Sequence, residues 1–266
     1  MSAGRQLIVN ADDFGRSAGI NAGVIRAHER GIVTSASLMV RWPAAVQAAS
    51  YAATRPGMSL GLHFDLEEWH LEPGQGWTLS YRVVDQDDEI EAEIHRQLEA
   101  FRRLVGRDPT HLDSHQHIHR KEPVAREAVG DLASELGVPA RQLSDKVAFC
   151  GDFYGRAADG STAHELLSAD NLTSIVSRLP AGITELACHP GAGREPTSPG
   201  YGAERRLELA TLCDPRVAVA IESAGIELRS FLGLPVRRAV RLHSFAVAAH
   251  AGFLHELQEV ASGFAS

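Results

Sequence analysis

The chain has 266 residues, 44% of them hydrophobic, so it can bury a sizeable core as one large α/β domain or two small domains. Its net charge is −8 and its basic residues are scattered, which argues against a nucleic-acid partner. Three cysteines without CxxC spacing are typical of reduced thiols. No apolar run approaches the roughly 20 residues of a membrane helix, and the N-terminus lacks a signal-peptide core, so we expect a cytoplasmic protein without a membrane partner.

Short apolar runs alternate with helix-like stretches, which indicates a parallel sheet with helical crossovers. The predicted strands cover residues 6–10, 35–40, 59–64, 111–115, 146–149, 183–189 and 226–231. The predicted helices cover residues 17–30, 43–54, 89–105, 123–136, 169–178, 204–212 and 216–224. Residues 65–88 are predicted to form a loop. The pattern fits a barrel or a doubly wound sheet, and both carry their sites at the C-terminal ends of the strands.

The C-terminal segment, residues 232–266, is too apolar for a solvated tail. It predicts one or two helices that pack on the rest of the chain or on a second subunit. We therefore divide the chain into a domain at 1–231 and a helical extension at 232–266, and a homo-oligomer stays open.

Two adjacent carboxylates, Asp12 and Asp13, directly follow the first predicted strand. Burying both is costly without a cation or hydrogen-bond donors. Neighbouring side chains of a strand point to opposite faces, so both can serve one site only if the chain turns, for which Gly15 is suited. The alternative is an acidic turn that caps the next helix.

Histidines mark two further strand ends. His63 closes the apolar run SLGLHF, where a lone histidine is more often structural than a ligand. In the run from His111 to His119, alternate residues are ionisable, and if the run is extended they share one face: His111, Asp113, His115, His117 and His119. The ends of such a run lie about 26 Å apart, at roughly 3.3 Å per residue. One ion can therefore take only one or two ligands here, while Asp113 could orient an imidazole and the distal histidines could meet substrate.

His189, in ACHPGAG, follows the strand ITELA and is a candidate general acid because histidine titrates near neutrality. A competing motif is GRSAG at residues 15–19, which formally matches the GxSxG nucleophile elbow. Ser17 does not follow its strand directly, so it is better interpreted as the N-cap of the first helix.

Five motifs occur in order over residues 6–231, namely LIVNADDFGRSAGINAGVIRAHERGIVTSASLMV, LGLHF, THLDSHQHIH, DFYG and ELACHPG. Together they resemble the YdjC-type carbohydrate deacetylases, which include the chito-oligosaccharide deacetylases. The resemblance implies an irregular, TIM-barrel-like (β/α) barrel that removes N-acetyl groups from amino sugars or their oligosaccharides with one divalent metal ion. By position in the motifs, the residues similar to the family's metal ligands are Asp13, His63 and His115. Asp12 is similar to the family's catalytic base, and His189 is similar to its acid.

The substrate contacts are less sharply defined. Tyr201 and Arg205 lie in a stretch similar to the segment beyond the family's HPG motif, and we add Tyr154 of DFYG to these candidates. Trp69 and Trp77 in the 65–88 loop match no family motif; either could stack on a sugar or belong to the core, and we favour the core slightly.

These residues predict amide hydrolysis in which a metal-bound water attacks, Asp12 takes its proton and His189 protonates the leaving amine. Two imidazoles favour zinc, cobalt or manganese, whereas the family resemblance often carries magnesium. Three alternatives remain: a serine esterase using Ser17, a metal-dependent phosphoesterase, and a non-catalytic metal- or sugar-binding protein.

Overall fold

The computed structural model describes residues 4–72, 74–157, 159–193 and 201–234. The strands are β1 to β9 in chain order: Arg5–Phe14, Ser35–Leu38, Ser59–Phe64, Glu67–Glu72, Gly76–Arg82, Leu112–Ser114, Val147–Cys150, Gly182–Cys188 and Ile226–Leu228. The helices are α1 to α8: Ala18–Arg30, Ala45–Ala53, Ile90–Val105, Ile118–Lys121, Pro123–Leu136, Ala169–Ser177, Gly202–Leu212 and Pro215–Ser223. None of the described helices is long and apolar enough to cross a membrane.

The main sheet curls into a half-barrel surrounded by helices. Its strand order is β6-β3-β2-β1-β8-β7, with β9 paired to the start of β1, and every ladder is parallel. This confirms the predicted α/β class and the irregular (β/α) barrel. Beyond β6, the segment after α5 continues the barrel wall, because Ala140 forms a parallel bridge with Leu112.

Alternation along β1 explains how the barrel interior becomes polar. Leu7 and Val9 face the helices in the main core, whereas Ile8 packs inside the barrel with Val147 and Phe231. Since successive side chains alternate, Asn10 and Asp12 follow Ile8 into the interior. The barrel therefore has an apolar lower layer and polar layers above it.

The structure departs from the sequence predictions in three places. Residues 65–88 are not simply a loop, because β4 and β5 form an antiparallel hairpin with a register shift between Glu68 and Trp69. The strand predicted to reach residue 115 ends at Ser114, and the last strand ends at Leu228 instead of residue 231. Most of the predicted helical extension, from residue 235 onward, lies outside the described residues, so the domain division stays a prediction.

We expect Gly61→Ala to lower the free energy of unfolding by about 1–3 kcal/mol, because over-packing a tight interior forces side chains apart. A Cβ at Gly61 would lie 2.4 Å from Nε2 of the buried His111 ring. The measurement is urea denaturation followed by circular dichroism. Gly57→Ala is the control, since a Cβ there meets nothing within 4 Å. Equal stabilities of the two variants would contradict this packing.

Candidate functional site

The candidate site lies where β1, β3, β6 and β8 end. Because these strands are parallel, their C-terminal ends meet at one rim of the half-barrel, which is the usual location of active sites in such folds. The rim gathers the residues predicted from the sequence: Asp12, Asp13, His63, Asp113, His115 and His189.

A backbone irregularity lets Asp12 and Asp13 serve the same site. Asp13 has a left-handed φ of 62°, and the register between β1 and β2 shifts between Ala11 and Phe14. The expected turn therefore occurs at Asp13 itself, within β1. Gly15 then continues it at φ 93°, where a Cβ would meet the backbone oxygen of Met39 at 2.9 Å.

Asp13, His63 and His115 form a compact cluster whose potential ligand atoms all lie within 4.8 Å of one another. Asp13 Oδ1 is 3.0 Å from His115 Nδ1 and 3.4 Å from His63 Nε2. The other oxygen, Oδ2, accepts a hydrogen bond from Arg205. Asp13 Oδ1 thus faces two imidazoles, whereas Oδ2 is bonded to Arg205. This arrangement suits a single cation bound to Oδ1.

The charge of the cluster also fits a cation. Burial opposes the protonation of His63, but the carboxylates of Asp113, Asp13 and Asp12 outweigh it and raise the pKa to about 10. The pKa of His115 is likewise raised against the effect of burial, mainly by Asp13. Both pKa shifts indicate that this pocket favours positive charge, which a divalent cation could supply.

Asp113 stands behind His63. Its Oδ1 lies 2.9 Å from His63 Nδ1, which fixes that nitrogen as the donor and leaves Nε2 directed at Asp13. Carboxylates commonly orient metal-binding histidines in this way. The position of Asp113 is the one that its predicted orienting role requires.

Arg141 is the buried centre of a cluster of three carboxylates. It donates to both oxygens of Asp12, at 2.6 and 2.7 Å, and it lies 2.8 Å from Asp113 and 2.7 Å from Glu185. Burial would raise the pKa of Asp12, but Arg141 outweighs burial and lowers it. Burial raises the pKa of Glu185 to about 7 despite Arg141.

The sequence analysis missed both Arg141 and Glu185. The signal for Glu185 was a carboxylate inside the apolar strand ITELA, which requires a buried partner. Arg141 had no local signal, because it lies in a connection after α5.

His189 lies beside Asp12 at the end of β8. Its Nε2 is 3.8 Å from Asp12 Oδ2, and its Nδ1 is 3.7 Å from Glu208 Oε1. The buried Glu208, on α7, also accepts the backbone N–H of His189 and the hydroxyl of Tyr201. Glu208 was missed as well, since an acidic residue on an ordinary helix gives no signal.

Two aromatic rings line the side of the site next to His189. Tyr154 and Tyr201 stack with centroids 4.9 Å apart, and their centroids lie 5.5 and 5.8 Å from that of His189. Tyr154 is 40% exposed, so it can contact a ligand. The Tyr201 hydroxyl is hydrogen-bonded to Glu208 and to the backbone N–H of Gly155. Arg205 is buried and donates to Asp13. Both residues therefore hold other site residues in position.

The histidine run does not stay extended. Gln116 and His117 have positive φ values of 50° and 56°, and α4 follows, so the five alternating residues do not share one face. His119 is buried with its two ring nitrogens near Ser114 Oγ and the Arg141 carbonyl, which gives a substrate contact no support. His117 lies against Phe149, and burial lowers the pKa of His117 to about 3.

The hairpin is joined to the site through Arg16 and Glu68. Arg16 donates to both carboxylate oxygens of Glu68, and its Nη1 lies 3.3 Å from His115 Nε2. Trp69 is half-buried on this hairpin, whereas Trp77 is 62% exposed, so placing Trp77 in the core was wrong. Ser17 accepts a hydrogen bond from Ile20 N as the N-cap of α1, which confirms that interpretation.

Fold and site together define a (β/α)-barrel protein with a candidate Asp–His–His cation site at the C-terminal rim of its sheet. Residues 6–223 match the family model described as YdjC-like protein, so the chain belongs to that family. This confirms the resemblance seen in the five sequence motifs.

Several known proteins are similar to this chain. A carbohydrate deacetylase of Geobacillus stearothermophilus is 35% identical to this chain, and the match covers 85% of this chain and 97% of that protein. A chitooligosaccharide deacetylase of Serratia marcescens is 34% identical, and the match covers 86% of this chain and 98% of that protein. A candidate cellobiose-phosphate cleavage protein of Enterococcus faecalis V583 superimposes with a TM-score of 0.72 at 25% identity, over 88% of this chain and 100% of that one. The polysaccharide deacetylase Bc1974 of Bacillus cereus superimposes with a TM-score of 0.50 at 11% identity, over 85% of this chain and 91% of that one. At this identity the likeness shows the fold alone.

We expect Arg141→Met to lower the free energy of unfolding by about 3–5 kcal/mol, because it leaves buried carboxylates without their partner. The measurement is urea denaturation at neutral pH. The matched control is Arg102→Met, whose exposed ion pairs with Glu99 and Asp108 contribute about 0–1 kcal/mol. A loss for Arg141→Met no larger than for the control would contradict the central role of this guanidinium.

Proposed function

We propose that this chain is a metal-dependent hydrolase that removes the acetyl group from an N-acetylated amino sugar or oligosaccharide. The observation that carries the proposal is the cluster of Asp13, His63 and His115, with Asp12 and His189 beside it, in a chain whose relatives include carbohydrate and chitooligosaccharide deacetylases. Amide hydrolysis needs an activated water, a base and an acid, and this rim offers a group for each role.

One carboxylate and two imidazoles would hold the cation and leave further coordination positions open, as in catalytic zinc sites. Such a cation would polarise the amide carbonyl and lower the pKa of a water molecule. The donor set suits zinc, cobalt or manganese, and magnesium remains an alternative. Arg205 restrains Asp13 from the far side, so the oxygen that faces His63 and His115 stays in place.

Asp12 is the proposed base. Arg141 holds it ionised and in a fixed orientation, since both carboxylate oxygens are contacted by the guanidinium. An ionised carboxylate can accept the proton of the attacking water, and the low pKa limits how strongly the proton is retained afterwards.

His189 is the proposed acid. Its Nε2 lies 3.8 Å from Asp12, so both groups can reach the same scissile bond. Glu208, beside Nδ1, would stabilise the imidazolium before it protonates the departing amine. A sugar bound here would contact Tyr154 at the rim. Trp69 on the hairpin and His117 beside Phe149 are further candidates.

The direct test measures acetate release from N-acetylglucosamine oligomers, with phosphate release from sugar phosphates in parallel. We expect acetate release that chelator treatment abolishes and a divalent ion restores, with one bound ion per chain by metal analysis. Phosphate release alone would favour the phosphoesterase alternative. Activity that survives chelation but not a serine-directed inhibitor would favour the esterase alternative.

We expect Asp12→Asn to lower kcat by about 10²- to 10⁴-fold, because an amide cannot take the proton. Bound metal, measured by elemental analysis, should be unchanged, since Asp12 is not in the proposed ligand set. Asp13→Asn should instead lose metal together with activity. Asp108→Asn, on the surface, is the control with normal activity. Full activity of Asp12→Asn would show that the base is misassigned.

A further inference from the structure

A chain of buried polar side chains runs beneath the site and joins Asp12 to Asp113. Asn10 Nδ2 donates to Asp12 Oδ1 at 2.9 Å and to Ser37 Oγ at 2.8 Å. Ser37 Oγ donates to Asp113 Oδ2 at 2.6 Å. His111 Nε2 lies 3.0 Å from Asn10 Oδ1 and 3.1 Å from Ser37 Oγ. One imidazole therefore contacts both residues that link the proposed base to the carboxylate behind His63.

The two carboxylates determine where every proton in this chain lies. An ionised carboxylate only accepts, so Asn10 must present its amide nitrogen to Asp12 and its oxygen to His111. That oxygen also only accepts, so His111 must carry its proton on Nε2. Ser37 gives its proton to Asp113 and accepts from Asn10. His111 Nδ1 then accepts from the Thr110 hydroxyl, which lies 2.9 Å away.

The protein holds the His111 ring in one orientation from both faces. Gly61 lies against one face, where a Cβ would be 2.4 Å from Nε2, and Phe231 stacks on the ring at a centroid distance of 3.9 Å. Burial lowers the pKa of His111 to about 4, so the ring stays neutral with a single N–H. A neutral, immobile imidazole is suited to position other groups and not to exchange protons.

We propose that His111 is a positioning residue, whose Nε2–H orients Asn10 and Ser37 and thereby sets the geometry of Asp12 and Asp113 together. Its influence reaches the base through Asn10, and it reaches His63 through Ser37 and Asp113. The catalytic part of this inference rests on the proposed deacetylation, whereas the effect on metal binding rests only on the candidate cation site of Asp13, His63 and His115. The positioning role explains why His111, a histidine of the motif THLDSHQHIH, lies away from the rim.

The test compares three variants by zinc titration calorimetry on metal-free protein, by kcat and KM for acetate release, and by melting temperature. His111→Phe keeps a ring between Gly61 and Phe231 but removes the donor. We expect it to weaken zinc binding and lower kcat by about 10- to 100-fold, as for other partners of metal-binding histidines, with little change in KM. His111→Gln replaces the donor and should recover most of the zinc affinity and of kcat.

Phe101→Leu is the matched control, since it removes buried aromatic volume from α3 in the main core and none of the hydrogen bonds of the His111 network. It should lower the melting temperature and leave zinc affinity and kcat unchanged. If His111→Phe behaves like this control, His111 is only a packing residue and the inference is wrong. If zinc affinity falls in His111→Phe but the wild type releases no acetate, the proposed function fails and the positioning role stands.

A measurement on the wild type covers the case in which His111→Phe does not fold. Nitrogen-15 NMR of the imidazoles should show His111 as the neutral Nε2–H tautomer at neutral pH. Observation of the Nδ1–H tautomer, or of a protonated ring, would overturn the inference.

Discussion

The interior of this barrel depends on Arg141, because three buried carboxylates from three strands share one space inside it. Asp12, Asp113 and Glu185 lie on β1, β6 and β8, and the guanidinium contacts all of them. Without it, closing the sheet would bury several uncompensated negative charges. Arg141 comes from the segment that extends the sheet beyond β6, so the same segment continues the barrel wall and neutralises its interior.

Different cationic partners separate the two adjacent aspartates. Asp12 is paired with Arg141, whereas Asp13 gives one oxygen to Arg205 and turns the other toward His63 and His115. Two residues of the same type, next to each other in the chain, thus meet distinct environments, and distinct roles follow from environment. The left-handed backbone at Asp13 is what makes this separation feasible, since a regular strand would direct them to opposite faces.

The hairpin of β4 and β5 contacts the residues around the candidate cation site. Glu68 accepts two hydrogen bonds from Arg16, which lies against His115, and Gln116 exchanges two hydrogen bonds with the backbone of Trp69. The strained turn at residues 116–117 and the hairpin therefore support each other. Changes of sequence in the hairpin would therefore act on the candidate cation site through Arg16 and His115, whereas Asp13 and His63 lie on β1 and β3.

Local pattern was enough to predict most helices, the barrel strands and the strand-end candidates, because hydrophobic periodicity and strand-end polar residues are encoded within short stretches. The choice of Asp13, His63 and His115 as ligands came from the resemblance of the five motifs. The hairpin was missed, since its exposed strands carry weak alternation. The bend in the run from His111 to His119 could not be predicted either, since nothing local reveals positive φ at Gln116 and His117. Arg141, Glu208 and Ser37 gave no local signal either. Their roles come from partners more than 15 residues away, as with Arg141 and Asp12 at a separation of 129. The sequence by itself determined which residues could do chemistry; only the tertiary structure decided which carboxylate faces which cation, because burial and charge pairing exist only once the strands have met.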